Sequence, residues 1–305
     1  MPRLIVFALA LVAAGSASAQ SPLEVCQSRS ANHDDRIAGC SAVIEAKPDN
    51  RALAMALCSR AFSFTEKREL DRAMADLDEA IRLHPTYPCS FNSRGRVWAF
   101  KGDLKRAIAD YDIAIKLDPN FVIAYNNRGR AYLDRREFDQ AAADLSMAIR
   151  LNPEYALAYG NRAFAHLGLR DHRRAIEDFT MQAKLTPNDM MIFINRGNVW
   201  RSLKELDKAA ADYAEVIRLA PTDARGWRNR GLIRLMQGDF DGGLADYDKA
   251  IEYDPNDAYS WNNRGIAKRE TGDRNGAIAD FRMALKINPS LSTARAVLRE
   301  MGVTP

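Results

Sequence analysis

The sequence predicts an all-α, right-handed solenoid in which seven helix-turn-helix repeats of 34 residues stack one after another. Three observations predict this architecture: a fixed repeat period, helical spacing of apolar residues within each period, and short polar turns between the helices. The array extends over residues 54–291. A helical cap at residues 20–53 precedes it, and a capping helix at residues 292–305 follows it.

The period is visible in three residue types that keep one register. If each repeat is numbered 1 to 34, starting at Ala54, arginine occupies position 7, aspartate position 23 and proline position 32 of every repeat. The arginines and aspartates are Arg60, Asp76, Arg94, Asp110, Arg128, Asp144, Arg162, Asp178, Arg196, Asp212, Arg230, Asp246, Arg264 and Asp280. Three residue types in one register over seven copies exclude a chance pattern and indicate one structural unit used seven times.

Each repeat contains the pattern of two helices. In repeat 122–155, the aromatic or small residues at positions 4, 8 and 11 share one helical face, and those at positions 20, 24 and 27 share another. The polar turn Arg136-Glu137 separates them, and Gly238-Asp239 occupies the same place in repeat 224–257. Because glycine can end a helix in the left-handed conformation, and proline closes the second helix, every repeat is predicted to be a helical hairpin.

This pattern resembles the tetratricopeptide repeat, and the resemblance covers Ala54 to Leu291 without a gap. It implies stacked helical hairpins with an inner, concave face that binds other polypeptides, and it implies no cofactor. Small residues at positions 8, 20 and 27 would let the two helices approach closely. Departures from the family pattern include Gly243 at position 20, Gln182 at position 27, and His166, Arg234 and Lys268 at position 11.

The first 19 residues have the features of a signal peptide. Arg3 gives a positive start, an apolar run follows from Leu4 to Ala14, and Ala17-Ser18-Ala19 supplies small residues for cleavage before Gln20. The run is shorter than the ~20 residues that a membrane-spanning helix needs. We therefore expect a periplasmic or secreted protein without membrane insertion.

Four cysteines lie in the first third of the chain, and an even number behind an export sequence indicates disulfides. Cys26 and Cys40 lie on either side of a predicted turn in the cap, so an antiparallel hairpin would bring them together. Cys58 and Cys89 lie on the first helices of neighbouring repeats, and the sequence leaves both a disulfide and two free buried thiols open. The short ligand spacing of a metal site is missing, so no metal is expected.

The repeated charges at positions 7 and 23 flank the predicted buried faces. Charges at the edge of a core must be paired, because an unpaired buried charge is costly. We therefore predict ion pairs such as Arg128–Asp144 and Arg196–Asp212, within one repeat or between neighbours. A row of arginines that binds an anionic ligand is the alternative, and the matching row of aspartates disfavours it.

Position 6 carries the candidate binding residues. They are Ser59, Ser93, Asn127, Asn161, Asn195, Asn229 and Asn263. A carboxamide both donates and accepts hydrogen bonds, so one asparagine per repeat could hold an extended peptide backbone without reading its sequence. The row resembles the asparagine ladder in the repeat superhelix of the O-linked N-acetylglucosamine transferases. The alternative is that each asparagine bonds within its own helix.

The composition and motifs favour binding over catalysis. Without Arg3 the chain has 43 basic and 40 acidic residues, a net charge of +3 that indicates neither a nucleic-acid nor a membrane-surface partner. No phosphate-binding loop occurs, no histidine accompanies a plausible nucleophile, and no small-molecule substrate is inferred. We expect an adaptor without enzymatic activity that binds a protein or peptide in the cell envelope. A self-assembling scaffold and a regulatory subunit of an envelope enzyme complex remain alternatives.

Overall fold

The computed structural model describes residues 21–28 and 30–304, and this part of the chain forms seventeen α-helices and no strand. The expected all-α fold is confirmed. The predicted signal peptide, residues 1–19, lies outside the described residues. Among the helices described, none is both long and apolar enough to cross a membrane. The chain divides into two compact units between Pro119 and Asn120, here called the N-terminal and the C-terminal unit.

The N-terminal unit contains the cap and the first two helical hairpins. Its helices are α1 (Pro22–Gln27), α2 (His33–Glu45), α3 (Asn50–Glu66), α4 (Leu70–Leu83), α5 (Pro88–Phe100) and α6 (Leu104–Leu117). Helix α3 begins four residues before the predicted start of the array, because the Asp49 side chain accepts a hydrogen bond from the Ala52 backbone N–H at 2.9 Å and caps the helix. The expected disulfide between Cys26 and Cys40 is present and joins α1 to α2.

The C-terminal unit contains five further hairpins and the capping helix. Its helices are α7 (Val122–Asp134), α8 (Phe138–Leu151), α9 (Ala156–Gly168), α10 (His172–Leu185), α11 (Met190–Ser202), α12 (Leu206–Leu219), α13 (Ala224–Gln237), α14 (Phe240–Tyr253), α15 (Ala258–Glu270), α16 (Arg274–Ile287) and α17 (Ser292–Glu300). Odd-numbered helices from α3 to α15 are the first helices of the repeats, and even-numbered ones from α4 to α16 are the second.

The core of each hairpin depends on the small residues that set the spacing of its two helices. In α8, Ala141, Leu145 and Ala148 are completely buried. A Cβ added to Gly129 of α7 would lie 2.7 Å from the Leu145 side chain, closer than two carbon atoms can approach. Gly129 therefore lets the Leu145 side chain pack directly against the backbone of α7.

The turn inside every hairpin contains one residue in the left-handed conformation, always at position 15. Glycine supplies it in three repeats, for example Gly238 with φ of 81°. Arginine or lysine supplies it in the other four, for example Arg136 with φ of 62°. A residue with a Cβ pays ~1 kcal/mol or more for this conformation, so the hairpins without glycine carry local strain.

The departures from the family pattern have physical explanations. The side chain of Gln182, which replaces alanine at position 27, occupies the space where a Cβ on Gly160 would lie, so the larger residue is matched by a smaller one. The position-11 replacements are all basic and reach the aspartate at position 23. Arg234 Nη1 lies 3.0 Å from Asp246 Oδ2, and the corresponding lysine and histidine make the equivalent contacts at 3.0 and 3.7 Å.

Candidate functional site

The arginine at position 7 binds the aspartate at position 23 of its own repeat in all seven repeats. In each pair, Nε donates to Oδ2 and Nη2 to Oδ1, over distances of 2.6–3.0 Å. The pairs are Arg60–Asp76, Arg94–Asp110, Arg128–Asp144, Arg162–Asp178, Arg196–Asp212, Arg230–Asp246 and Arg264–Asp280. Every aspartate is buried, so each fork satisfies a charge that water cannot reach.

Several of these arginines also join consecutive repeats. Arg196 Nη1 donates to Thr180 Oγ1 of the preceding repeat at 3.0 Å, and Arg264 Nη1 donates to Asp248 at 2.7 Å. The hydrogen bond to Asp280 raises the pKa of Arg264 above its ordinary value. The Nε and Nη2 donors of every position-7 arginine are thus used by a carboxylate of its own repeat, which disfavours a row that binds an anionic ligand.

The candidate binding residues lie on the surface made by positions 2, 6 and 9 of the first helices, here called the first-helix face. All seven residues at position 6 are half-buried: Ser59, Ser93, Asn127, Asn161, Asn195, Asn229 and Asn263. The two serines belong to the N-terminal unit and the five asparagines to the C-terminal unit. The carboxamide row therefore lies entirely within the C-terminal unit.

Part of the row is bonded to the chain itself. Asn161 Nδ2 donates to Asn126 Oδ1 of the preceding repeat at 2.9 Å, and Asn263 Oδ1 accepts from Asn262 Nδ2 at 3.0 Å. At Asn195 and Asn229 the described residues provide no hydrogen-bond partner for the side chain. Asn195 and Asn229 thus keep their side-chain donors and acceptors available to a ligand. Asn161 already uses its Nδ2 donor and Asn263 its Oδ1 acceptor within the chain.

A pocket of about 390 Å³ opens on this face between α11, α13 and α15. Asn229 and Asn263 line it together with Arg201, Arg228 and Tyr259. Arg228 pairs with Asp257 at 3.2 Å, whereas Arg201 has no carboxylate partner among the described residues. The pocket therefore combines hydrogen-bonding amides, an aromatic ring and one positive charge without a counterion.

An apolar row that was not predicted from the sequence runs beside the asparagines. Position 2 carries Ile123, Leu157, Met191 and Tyr259, of which Leu157 is 60% exposed and Tyr259 56%. Position 2 precedes position 6 by one helical turn, so the two rows run side by side. Large apolar residues four positions before four of the five asparagines were visible in the sequence, but their exposure was not. Arg225 takes this place before Asn229 and interrupts the row.

The first-helix face of the N-terminal unit has a different chemistry. Cys58 and Cys89 are unbonded in the structure, and their Sγ atoms lie 3.3 Å apart. The hydrogen bond from Cys58, together with bonds from Ser93 and Tyr87, lowers the pKa of Cys89 to about 7. Hydrogen bonding to Cys89 and burial raise the pKa of Cys58 well above its ordinary value.

The fold and its periodic, open face define a helical-repeat scaffold, and comparison with known families gives the class. Models described as TPR repeat or tetratricopeptide repeat match residues 100–135, 122–155, 161–224, 224–257 and 246–279. Together these segments cover more than half of the chain, and the chain belongs to the tetratricopeptide-repeat family. Such repeats typically mediate contacts between proteins.

Solved structures agree with this class. The C-terminal part of a repeat-containing protein from Cytophaga hutchinsonii has a TM-score of 0.67 at 16% identity, over 79% of this chain and 99% of its own. The crystal structure of MamA has a TM-score of 0.51 at 27% identity, over 54% of this chain and 96% of its own. The APC/C hetero-tetramer Cut9-Hcn1 has a TM-score of 0.57 at 20% identity, over 91% of this chain. The match spans about half (53%) of the length of the Cut9-Hcn1 chain. No curated protein sequence matches.

Proposed function

We propose that the C-terminal unit binds an extended segment of a partner polypeptide along its first-helix face, and that the protein is a non-enzymatic adaptor. The observation that carries this proposal is the pair of parallel rows, asparagines at position 6 and exposed apolar residues at position 2. An amide row can bond a peptide backbone, and an apolar row can accept alternate side chains.

The repeat spacing supports an extended ligand. Neighbouring packed helices lie about 8–10 Å apart, and an extended chain advances about 3.3 Å per residue. One asparagine per repeat therefore meets about every third residue of a bound strand. Asn195 and Asn229, whose amides have no partner in the described chain, would make the central contacts, and the unpaired Arg201 favours an acidic side chain near α13.

The cellular setting is part of the proposal. The N-terminal apolar run, the small residues before Gln20 and the Cys26–Cys40 disulfide support an exported protein, because disulfides persist in oxidising compartments. The partner is then expected among proteins of the cell envelope or the secreted fraction.

A crosslinking experiment with a matched control tests the proposal. A photoreactive phenylalanine analogue replaces Tyr259 on the first-helix face in one variant, and Tyr253 on the second helix α14 in the other. Irradiation in the native compartment is expected to join position 259, and not position 253, to one short segment of a partner protein, which mass spectrometry then maps. Crosslinks from position 259 only to another copy of this chain would favour self-assembly and contradict the adaptor proposal.

The mapped segment, made as a synthetic peptide, tests the asparagine row. Each peptide hydrogen bond contributes about 1 kcal/mol, so the double variant Asn195→Ala, Asn229→Ala is expected to weaken the peptide's Kd by about tenfold or more. Asn275→Ala, an exposed asparagine on α16, is the control and should leave the Kd unchanged. An unaltered Kd in the double variant would remove the asparagines from the binding site.

A further inference from the structure

Two cysteines that the proposed function does not use lie against each other in the N-terminal unit. Cys58 is at position 5 of its repeat on α3, and Cys89 is at position 2 of the next repeat on α5. Their sulfur atoms are 3.3 Å apart. Cys58 is 4% exposed, whereas Cys89 is half-buried, so Cys89 is the more accessible of the two.

The repeat register places these two positions together. Position 5 of one repeat meets position 6 of the next, as shown by the Asn161–Asn126 hydrogen bond in the C-terminal unit. The equivalent contact in the N-terminal unit is the 3.5 Å approach of Cys58 Sγ to Ser93 Oγ. Since position 2 lies one turn before position 6, Cys89 falls beside Cys58 because of the stacking itself.

The surroundings of Cys89 stabilise a thiolate. It is the second residue of α5, where the free backbone N–H groups of a helix N-terminus favour negative charge. Cys58, Ser93 and Tyr87 hydrogen-bond to it and Arg96 adds positive charge, and together these lower its pKa to about 7. The buried Cys58, in contrast, is held as a thiol. The two cysteines therefore have distinct chemical roles, nucleophile and resolving thiol.

We propose that Cys58 and Cys89 are a reactive dithiol site that takes part in thiol–disulfide exchange and closes a second disulfide between α3 and α5. The oxidant is a disulfide, either glutathione disulfide or the active-site disulfide of an oxidoreductase. The Cys89 thiolate attacks one of its sulfur atoms, the S–S bond breaks, and one thiolate leaves. Cys58 then loses its proton to water and attacks the Cys89 sulfur, which releases the second thiolate. Two electrons pass from the dithiol to the oxidant.

The site has a defined place in the fold. The new bond would tie together the first helices of the first two repeats, beside the serines that replace asparagine at position 6. It would not involve the C-terminal unit, so its formation is independent of the binding proposed for that unit.

Glutathione titration of the full chain tests the site. The protein, with Cys26–Cys40 intact, is equilibrated in mixtures of reduced and oxidised glutathione, quenched by alkylation and mapped by mass spectrometry. The wild type is expected to lose both alkylatable thiols together and to form a Cys58–Cys89 bond without a stable adduct. Cys58→Ala should accumulate glutathione on Cys89, because no resolving thiol remains, whereas Cys89→Ala should leave Cys58 unmodified over the same time.

Three results would overturn the proposal. The first is a wild-type chain whose two thiols both remain alkylatable in fully oxidised glutathione. The second is a persistent glutathione adduct on wild-type Cys89 without closure of the bond. The third is a Cys58→Ala chain whose Cys89 takes up no glutathione, which would show that Cys89 is not the nucleophile. Cys58→Ser, with the volume of the thiol nearly kept, serves as a second variant, and circular dichroism verifies its helices.

Discussion

The N-terminal and C-terminal units share their internal scaffold and differ in the surface they present. In both, the position-7 arginine forks onto the position-23 aspartate. In the N-terminal unit, arginines lie over aromatic rings that remain partly exposed: Arg96 lies 4.5 Å from the Phe62 ring centre and Arg68 4.3 Å from that of Phe100. On the C-terminal face, large apolar residues such as Leu157 stay open to solvent.

This difference separates the residues that build the stack from those that give it a function. A residue that recurs in every repeat contacts its own hairpin or its neighbour, and so it reports on stacking. Residues that change between the units include those at positions 2 and 6, which give the first-helix face its chemistry. The first-helix face therefore carries thiols in the N-terminal unit and amides in the C-terminal unit, on hairpins that are built in the same way.

The largest expected loss of stability comes from removing the aspartate at position 23, tested once in each unit. Asp246 accepts from both Arg230 and Arg234, whereas the fork at Asp76 holds Arg60 alone. Asp246→Ala leaves two cations at a nearly buried site and is expected to cost roughly 3–5 kcal/mol, and Asp76→Ala less. Hydrogen exchange measured segment by segment reads the local loss, because a repeat array need not unfold in one step.

The control for this comparison is Asp241→Ala, an exposed aspartate on α14. Surface substitutions of this kind change stability by less than about 0.5 kcal/mol. Equal losses of stability in Asp76→Ala and Asp246→Ala would contradict this prediction. They would show that the basic residue at position 11 adds nothing to the stability of the ion pair.

A slightly smaller effect is expected at the disulfide. Closing a loop with a sequence separation of 14 residues stabilises by about 3 kcal/mol through the entropy of the unfolded chain. Cys26→Ala with Cys40→Ala should therefore speed hydrogen exchange in α1 and α2 strongly while leaving α13 to α16 unchanged. Faster exchange throughout the C-terminal unit would contradict the separation of the two units.

The sequence predicted the hairpins and their internal pairs because these are local. A 34-residue period fixes which residues share a helical face, so the spacing predicted that the arginines at position 7 pair with the aspartates at position 23. The sequence left open whether they pair within one repeat or between neighbours, and the structure pairs Arg60 with Asp76 of its own repeat. The Cys26–Cys40 disulfide followed for the same reason, since both cysteines flank one turn.

The sequence did not predict contacts between repeats or the exposure of single positions. The pairing of Asn161 with Asn126 and of Cys58 with Cys89 depends on how far one hairpin slides along the next. A period gives no information about that offset, because every offset keeps the same period. The open row that includes Leu157 was missed for the same reason, since exposure depends on which neighbour covers the residue.

The residues at position 15 test whether the turns of the two units have the same backbone conformation and the same energetic cost. Gly102 and Gly238 have φ near 80°, and an added Cβ would meet no atom within 4 Å at either glycine. Gly102→Ala and Gly238→Ala should therefore each cost about 1 kcal/mol through backbone conformation alone. Arg136→Gly should have the opposite sign, because it relieves the same strain. Thermal denaturation measures all three, and unequal losses at the two glycines would place a further constraint on one turn.

The smallest expected effect is a pH dependence confined to the C-terminal unit. Position 11 is Phe64 in the first repeat and His166 in the fourth, where the ring lies 6% exposed and 3.7 Å from Asp178. Burial lowers the pKa of His166, and the attraction of Asp178 partly offsets this shift. Because the folded state resists protonation, the unfolded state takes up the proton first as the pH falls below about 6.5. Stability from this group is therefore complete above that pH and declines below it, until the lower folded-state pKa is passed.

Replacing His166 with phenylalanine, the residue found at position 11 of the first repeat, isolates this contribution. The other histidines are present in both the wild type and His166→Phe, so their contribution cancels when the two stability profiles are subtracted. The wild type should lose more stability between pH 7 and pH 5 than the variant, and hydrogen exchange should locate the loss in α9 and α10, which contact each other. Parallel pH profiles would mean that Asp178 compensates the burial of the ring completely, so that protonated and neutral His166 fit the repeat equally well. A steeper loss of stability with falling pH in the variant would contradict the prediction. It would assign the pH dependence to Asp178, which loses the contact with His166 in the variant.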